Sequence, residues 1–135
     1  MKKVFVDTSG WIALVNTADS FHSHAKDLYI GLLADGYQFI THQGVMLEIG
    51  NGFSAIRNRP MAIGLQKKFE VADHYELISL NSQLYEAAWK LFEERGDKNW
   101  GIVDCLSFVV MTQFELTEAL TTDRHFEQAG FRKLL

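Results

Sequence analysis

The sequence predicts an α/β fold, a three-layer α/β/α sandwich around a central parallel sheet of four to five strands. Three observations carry this. Apolar runs of strand length alternate along the chain with longer segments whose apolar residues recur at helical spacing. The first four strand-like runs are each separated by at least one helix-length segment, the crossover that parallel neighbours need. The opening run, "VFV", is apolar without alternation, as in a strand covered on both faces.

Each element follows from local pattern. Residues 3–6 read as a buried strand, 11–16 as a short helix, and 21–35 as a longer helix with Ala25, Leu28 and Leu32 on one face. Gly36 stops that helix. "YQFIT" (37–41) is the second strand. A helix over 43–58 follows, its apolar stripe formed by Val45, Ile49, Phe53 and Ile56. Pro60 suits the first turn of a further helix running to about Ala72. "ELISL" (76–80) is the third strand. Asn81 or Ser82 caps the next helix, with Leu84, Ala88, Leu91 and Phe92 facing inward and Gly96 closing it. "GIVDCLSFVVMTQF" is apolar on almost every side and too long for an ordinary strand, so it reads as a buried helix. "EALTT" (118–122) is the fourth strand and "FRKLL" a fifth, at the sheet edge. No internal repeat is visible.

Composition sets the frame. The 135 residues suit one domain, taken as 1–135, that buries roughly two-thirds of the surface its unfolded chain exposes. With 47% hydrophobic and 22% charged residues and a single Pro, neither disorder nor a linker is indicated. No apolar run is long enough to span a bilayer and the N-terminus lacks a signal-peptide core, so a cytoplasmic protein away from membranes is expected. Cys105 is the only cysteine, which excludes an intramolecular disulfide and a cysteine-rich zinc site. The net charge of −4 argues against a generally basic nucleic-acid binder. Between Glu48 and Glu70, however, there is no acidic residue, and that interval holds Arg57, Arg59, Lys67 and Lys68. They read either as a local basic patch or as a solvated helix face.

In open parallel sheets, ligands bind outside the carboxyl ends of the strands. Asp7 ends the first strand and Asp123 directly follows the fourth. Asp104 lies in the first turn of the buried helix, which must run away from that same edge in order to feed the strand at 118. Glu48, in the second turn of the helix after strand two, can reach the edge as well. Singly, three of these have ordinary readings: Asp104 as a helix-start acid, Asp123 as a turn residue, Glu48 as a solvated side chain. Asp7 is different, because Thr8 and Ser9 set hydroxyls beside a carboxylate at the ligand edge. Four like charges at one edge raise each other's pKa and strain the fold unless a cation lies among them. A hard divalent ion held by oxygen, Mg²⁺ or Mn²⁺, is the economical explanation. His22 and His24 have no further ligand nearby and read as helix-surface residues; Trp11, Trp89 and Trp100 read as core or interface.

Four stretches, "FVDTSGWIAL", "EIGN", "WGIVDCLSFVVM" and "TTDRHFEQAGF", resemble in order and spacing the PIN-domain family, particularly VapC-type toxin ribonucleases, from Val4 to Phe131. The resemblance implies an acidic cluster that binds Mg²⁺ or Mn²⁺ and cuts RNA, with the acidic positions on Asp7, Glu48, Asp104 and Asp123. Asp7 and Asp104 are then direct metal ligands, and Asp123 and Glu48 hold metal directly or through water. Ser9 matches the hydroxyl position after the first acid and Asn51 the polar residue after the glutamate; Arg124 or His125, beside the cluster, reads either as a phosphate contact or as a surface residue of a turn. One departure is that Gly101 and Val103 occupy places where many relatives have Ser and Thr. As to partners, a VapC-type toxin implies a small VapB-like antitoxin and a homodimer; the alternatives are a housekeeping ribonuclease and a PIN-like binding module without cleavage. A haloacid-dehalogenase-like phosphatase is disfavoured because its second aspartate would fall on Ser9. A response-regulator receiver is disfavoured for want of paired early acids.

Overall fold

The structure, a computed structural model describing residues 2–135, is built on five parallel strands in the order β3-β2-β1-β4-β5. In chain order the elements are β1 (Lys3–Val6), α1 (Thr8–Val15), α2 (His22–Ala34), β2 (Gln38–His42), α3 (Gln43–Gly52), α4 (Arg59–Val71), β3 (Tyr75–Ile78), α5 (Ser82–Glu94), α6 (Ile102–Gln113), β4 (Glu118–Leu120), α7 (His125–Gln128) and β5 (Arg132–Lys133). In β1, Val4, Phe5 and Val6 are all fully buried. Since successive strand residues point to opposite faces, both faces of the sheet are covered, which is the expected sandwich. Phe5 pairs with Ile40 of β2 on one side and with Ala119 of β4 on the other. The order of strands therefore reverses between β1 and β4, and a crevice opens at their carboxyl ends.

The helix starts agree with their sequence signals. The Asn81 side chain accepts from the Leu84 amide at 2.8 Å, so Asn81 rather than Ser82 caps α5. Pro60 lies in the first turn of α4 and Gly101 is the N-cap of α6. Gly36, which ends α2, has φ +82°, a left-handed conformation that suits glycine. The helix read as buried, α6, places Cys105, Leu106, Phe108, Val110 and Met111 in the core. The fifth strand is present, at the edge beside β4.

Several expectations are corrected. The helix anticipated over 43–58 is two helices: α3 ends at Gly52, a turn follows, and α4 begins at Arg59. Gly50 and Gly52 each weaken the helix by about 1 kcal/mol relative to Ala, and Arg59 Nε donates to the Ser54 carbonyl at 2.7 Å to fasten the turn. Ile56 consequently leaves the apolar stripe and is 89% exposed. On α5, Leu84 and Ala88 are buried but Phe92 is exposed. At 100° per residue it falls in with Tyr85 and Trp89, and the Trp89 ring meets each of the other two edge to face on the outside. Helix α1 starts at Thr8, three residues earlier than read, and α7 was not anticipated. Strand β3 runs from Tyr75 to Ile78 and β4 ends at Leu120, both shorter than predicted. Among the described residues no helix is long and apolar enough to cross a membrane.

Candidate active site

Two close approaches assemble the crevice. Gly10, in the first turns of α1, lies against the end of β4: a Cβ there would stand 2.1 Å from the Leu120 carbonyl oxygen. Only a residue without a side chain lets the helix come so near, and the contact brings the start of α1 to Thr121. Elsewhere His42 is buried at the junction of β2 and α3. Its Nδ1 accepts from the Val45 amide at 3.2 Å, so Nε2 carries the hydrogen and donates to Ser107 Oγ of α6 at 2.8 Å. Burial pushes the pKa of His42 down to about 4, so the ring is neutral at pH 7. Pinning α3 to α6 in this way fixes Glu48 relative to Asp104.

Asp7 is the centre of the arrangement and is only 6% exposed. It stands at the N-cap position of α1 without capping it. Its Oδ2 instead accepts the Thr121 hydroxyl at 3.1 Å, with Ser9 Oγ at 3.5 Å. The hydrogens can be placed. Ser9 Oγ accepts from the Thr122 amide (3.0 Å) and Thr121 Oγ1 accepts from the Asp123 amide (3.0 Å). With Ser9 and Thr121 3.0 Å apart, a chain runs from the Ser9 hydroxyl to that of Thr121 and on to the Asp7 carboxylate. Burial nevertheless raises the Asp7 pKa to about 6; the Thr8 amide and Thr121 hydroxyl oppose the rise, and the charges of Asp104 and Glu48 add to it.

The other three acids are each held by a hydrogen bond. Glu48 Oε1 accepts the Thr8 hydroxyl at 2.6 Å, which ties α3 to the start of α1. Asp104 Oδ2 accepts the Gly101 amide at 3.0 Å, so the ordinary helix-start role holds as well. Asp123 Oδ1 accepts the His125 amide at 2.9 Å. The His125 ring faces both carboxylates, with Nδ1 3.0 Å from Asp104 Oδ2 and 3.4 Å from Asp123 Oδ1. One oxygen from each of Asp104 and Asp123 and one His125 nitrogen lie within 4.8 Å of one another, a group that does not include Asp7 or Glu48.

The remaining residues divide. Ser9 spends its hydroxyl on Thr121 and the Thr122 amide, and so supports Asp7. Asn51 is exposed, one turn beyond Glu48, on the wall of an apolar groove of about 270 Å³ between α3, α5 and α6. Arg124 is exposed at the N-cap of α7. Arg57, Arg59, Lys67 and Lys68 are all exposed. His22 Nδ1 lies 2.8 Å from the Ala13 carbonyl, and His24 is exposed; neither is part of the acidic cluster. Trp11 and Trp100 are core residues, whereas Trp89 is partly exposed. Sequence reasoning missed Thr121 and His42, and the linking role of Thr8. A hydroxyl two residues before Asp123 and a histidine at a strand-to-helix junction were the visible signs.

A divalent cation fits this donor set. Asp7 is a buried carboxyl whose charge is opposed by two neighbouring acids, and a hard ion bound through oxygen relieves that conflict.

Comparison with known proteins agrees with the geometry. The 23S rRNA-specific endonuclease VapC20 of Mycobacterium tuberculosis is 29% identical over 131 residues, 95% of each chain. The crystal structure of VapC20, described as a sarcin–ricin-loop-cleaving toxin, superposes with a TM-score of 0.81 at 26% identity, covering 95% of both chains. At 15% and 14% identity, VapBC2 of Rickettsia felis, bound to a DNA fragment from its promoter, and FitAcB of Neisseria gonorrhoeae share the fold. Their TM-scores are 0.69 and 0.65, and coverage is 97% and 96% of this chain and 96% and 95% of theirs. The PIN domain model matches residues 4–132, so nearly the whole chain is accounted for, and the chain belongs to the PIN domain family.

Proposed function

We propose that the protein is a divalent-metal-dependent endoribonuclease, the toxin of a type II toxin–antitoxin pair. The observation that carries this is the placement of Asp7 at the strand-order reversal, its pKa raised by burial with the charges of Asp104 and Glu48 adding to the rise, while Asp123 and His125 close on Asp104. Asp7 and Asp104 hold the ion directly; Glu48 and Asp123 hold it directly or through water. Bound there, Mg²⁺ or Mn²⁺ lowers the pKa of a coordinated water and offsets the charge that builds on a scissile phosphate. The chain's own residues do the positioning. Thr121 fixes one oxygen of Asp7, Ser9 fixes Thr121, and Thr8 fixes Glu48. The hydroxyls at the edge are committed to these bonds, and Cys105 is buried in the core. Water is therefore the attacking group, and 5′-phosphate and 3′-hydroxyl ends are expected.

We assign RNA contact to Arg124, next to Asp123, and to Asn51, one turn beyond Glu48, both of them exposed. The relatives named for 23S rRNA cleavage make a structured rRNA loop the first substrate to try. The likeness to VapC20, described as a toxin, supports a small antitoxin partner here. We assign its tail to the acidic edge and the adjoining groove lined by Leu47, Tyr85, Trp89 and Ile102, and we expect the toxin itself to be a homodimer.

The test pairs cleavage with folding. Purified protein should cut an rRNA-loop oligonucleotide only with Mg²⁺ or Mn²⁺ present. Asp104→Asn keeps the shape and the helix-end hydrogen bond but removes a charge, so cleavage should collapse while the far-UV spectrum stays native. Wild-type rates from this variant would overturn the mechanism. Cleavage without growth arrest on expression, and without a copurifying small protein from the native operon, would overturn the toxin assignment alone.

A further inference from the structure

We propose that His125 is part of the metal centre, its Nδ1 supplying a nitrogen ligand that biases the site toward Mn²⁺ over Mg²⁺; the inference rests on the metal-dependent reading above. Nδ1 is 3.0 Å from Asp104 Oδ2 and 3.4 Å from Asp123 Oδ1, and the ring is mostly shielded, with its side chain 23% exposed. Among the described residues no lysine or arginine is paired with either carboxylate. The backbone holds the ring there. The His125 amide donates to Asp123 Oδ1, so the residue that anchors α7 to the acid also turns its imidazole toward it.

The spacing is that of neighbouring ligands. Around an ion bound octahedrally at about 2.1 Å, adjacent donor atoms stand roughly 3 Å apart. Nδ1 therefore stands where a ligand beside Asp104 and Asp123 would stand. Facing two groups that only accept, Nδ1 carries the ring hydrogen in the metal-free protein. With the hydrogen on Nε2 instead, the same atom presents a lone pair at the same point. A carboxylate-only set suits Mg²⁺, which prefers oxygen and its own waters. An imidazole among the ligands favours first-row transition ions, of which Mn²⁺ also keeps the carboxylates as good partners.

A purely orienting role makes a different prediction. An imidazole that only donates to Asp104 is replaceable by any donor at the Nδ1 position, and its removal weakens both ions alike. His125→Asn places an amide NH₂ near that position and keeps the donor without a nitrogen lone pair; His125→Ala removes both. The experiment is titration calorimetry of metal-free, full-length protein with Mn²⁺ and with Mg²⁺, without RNA. Pulsed EPR of bound Mn²⁺ reads nitrogen coupling, and melting curves check that each variant is folded. Expected are tighter Mn²⁺ than Mg²⁺ binding by the wild type, imidazole nitrogen coupling to the bound ion, and its loss in both variants. The Mn²⁺/Mg²⁺ affinity ratio should fall by about tenfold or more in each. Mn²⁺ bound without nitrogen coupling, or a wild-type ratio retained by His125→Asn, would overturn ligation by His125 and leave the metal-dependent reading standing. Failure of the wild type to bind either ion would overturn both.

Discussion

Asp7→Asn should stabilise the metal-free protein at neutral pH. The Asp7 carboxyl titrates at about 6 in the folded chain against 3.8 as its ordinary value, chiefly because it is buried, with Asp104 and Glu48 adding repulsion. The sign follows from linkage. Between pH 4 and 6 the folded state holds a proton that the unfolded state has released, so stability falls as pH rises through this window. At about 1.4 kcal/mol per pH unit, the full penalty above pH 6 is about 3 kcal/mol. Asparagine is close in shape, and its carbonyl oxygen can accept the Thr121 hydroxyl in place of Oδ2. For a chain of this length about 3 kcal/mol corresponds to roughly 10 °C in melting temperature, and imperfect replacement of the carboxylate's hydrogen bonds lowers the expected gain to about 5–10 °C.

The assay is a set of melting curves in chelator at pH 4, 5, 6 and 7.5 for both proteins, repeated with Mn²⁺. The difference should be near zero at pH 4, grow to pH 6 and then level off. Adding Mn²⁺ should raise the wild type and leave the variant nearly unmoved, because an ion that binds only the folded state stabilises in proportion to its affinity. A variant that melts at or below the wild type at pH 7.5 in chelator would refute the argument. So would a difference that does not shrink toward pH 4.

Two further outcomes follow from single contacts. Gly10→Ala would drive a Cβ to 2.1 Å from the Leu120 carbonyl, backbone that no rotamer change can clear, so urea denaturation should show a loss of about 3 kcal/mol or more. Thr121→Val removes the donor to Asp7 and the acceptor for the Asp123 amide; NMR titration should find the Asp7 midpoint above its wild-type value of about 6, and stability should fall by about 1–3 kcal/mol.

What could be read from the sequence divides along the range of the interactions. Helices such as α6, apolar nearly all round, and caps such as Asn81 and Gly101 are set by neighbours within a few residues, and these were legible. The break between α3 and α4 was less so, because the spacing of Val45, Ile49, Phe53 and Ile56 suits one helix. The decision fell to the glycines at 50 and 52 and to a turn fastened by Arg59. Phe92 was misplaced for a similar reason: positions 91 and 92 both border the apolar stripe of α5, and only packing against α6 decides which is covered.

Asp7, Asp104 and Asp123 were legible because each stands at the end of an element, and a parallel topology sends those ends to one edge; Glu48, midway along α3, is not placed by that rule. The bonds that hold the acids were not legible, since Thr8 meets Glu48 across 40 residues and Thr121 meets Asp7 across 114. Asp104 and Asp7 show what local reasoning can and cannot separate. Both sit where an acid at a helix start has an ordinary role, and Asp104 performs it, accepting the Gly101 amide. Asp7 does not cap its helix, and its carboxyl turns to the end of β4, where burial and two neighbouring acids raise its pKa to about 6. A carboxylate placed to cap a helix that forgoes the bond, and is buried against like charge instead, costs the fold stability that the Thr8 amide and Thr121 hydroxyl only partly offset in the metal-free protein. That unreturned cost, more than the number of acids at the edge, is the physical argument for a cation at this site.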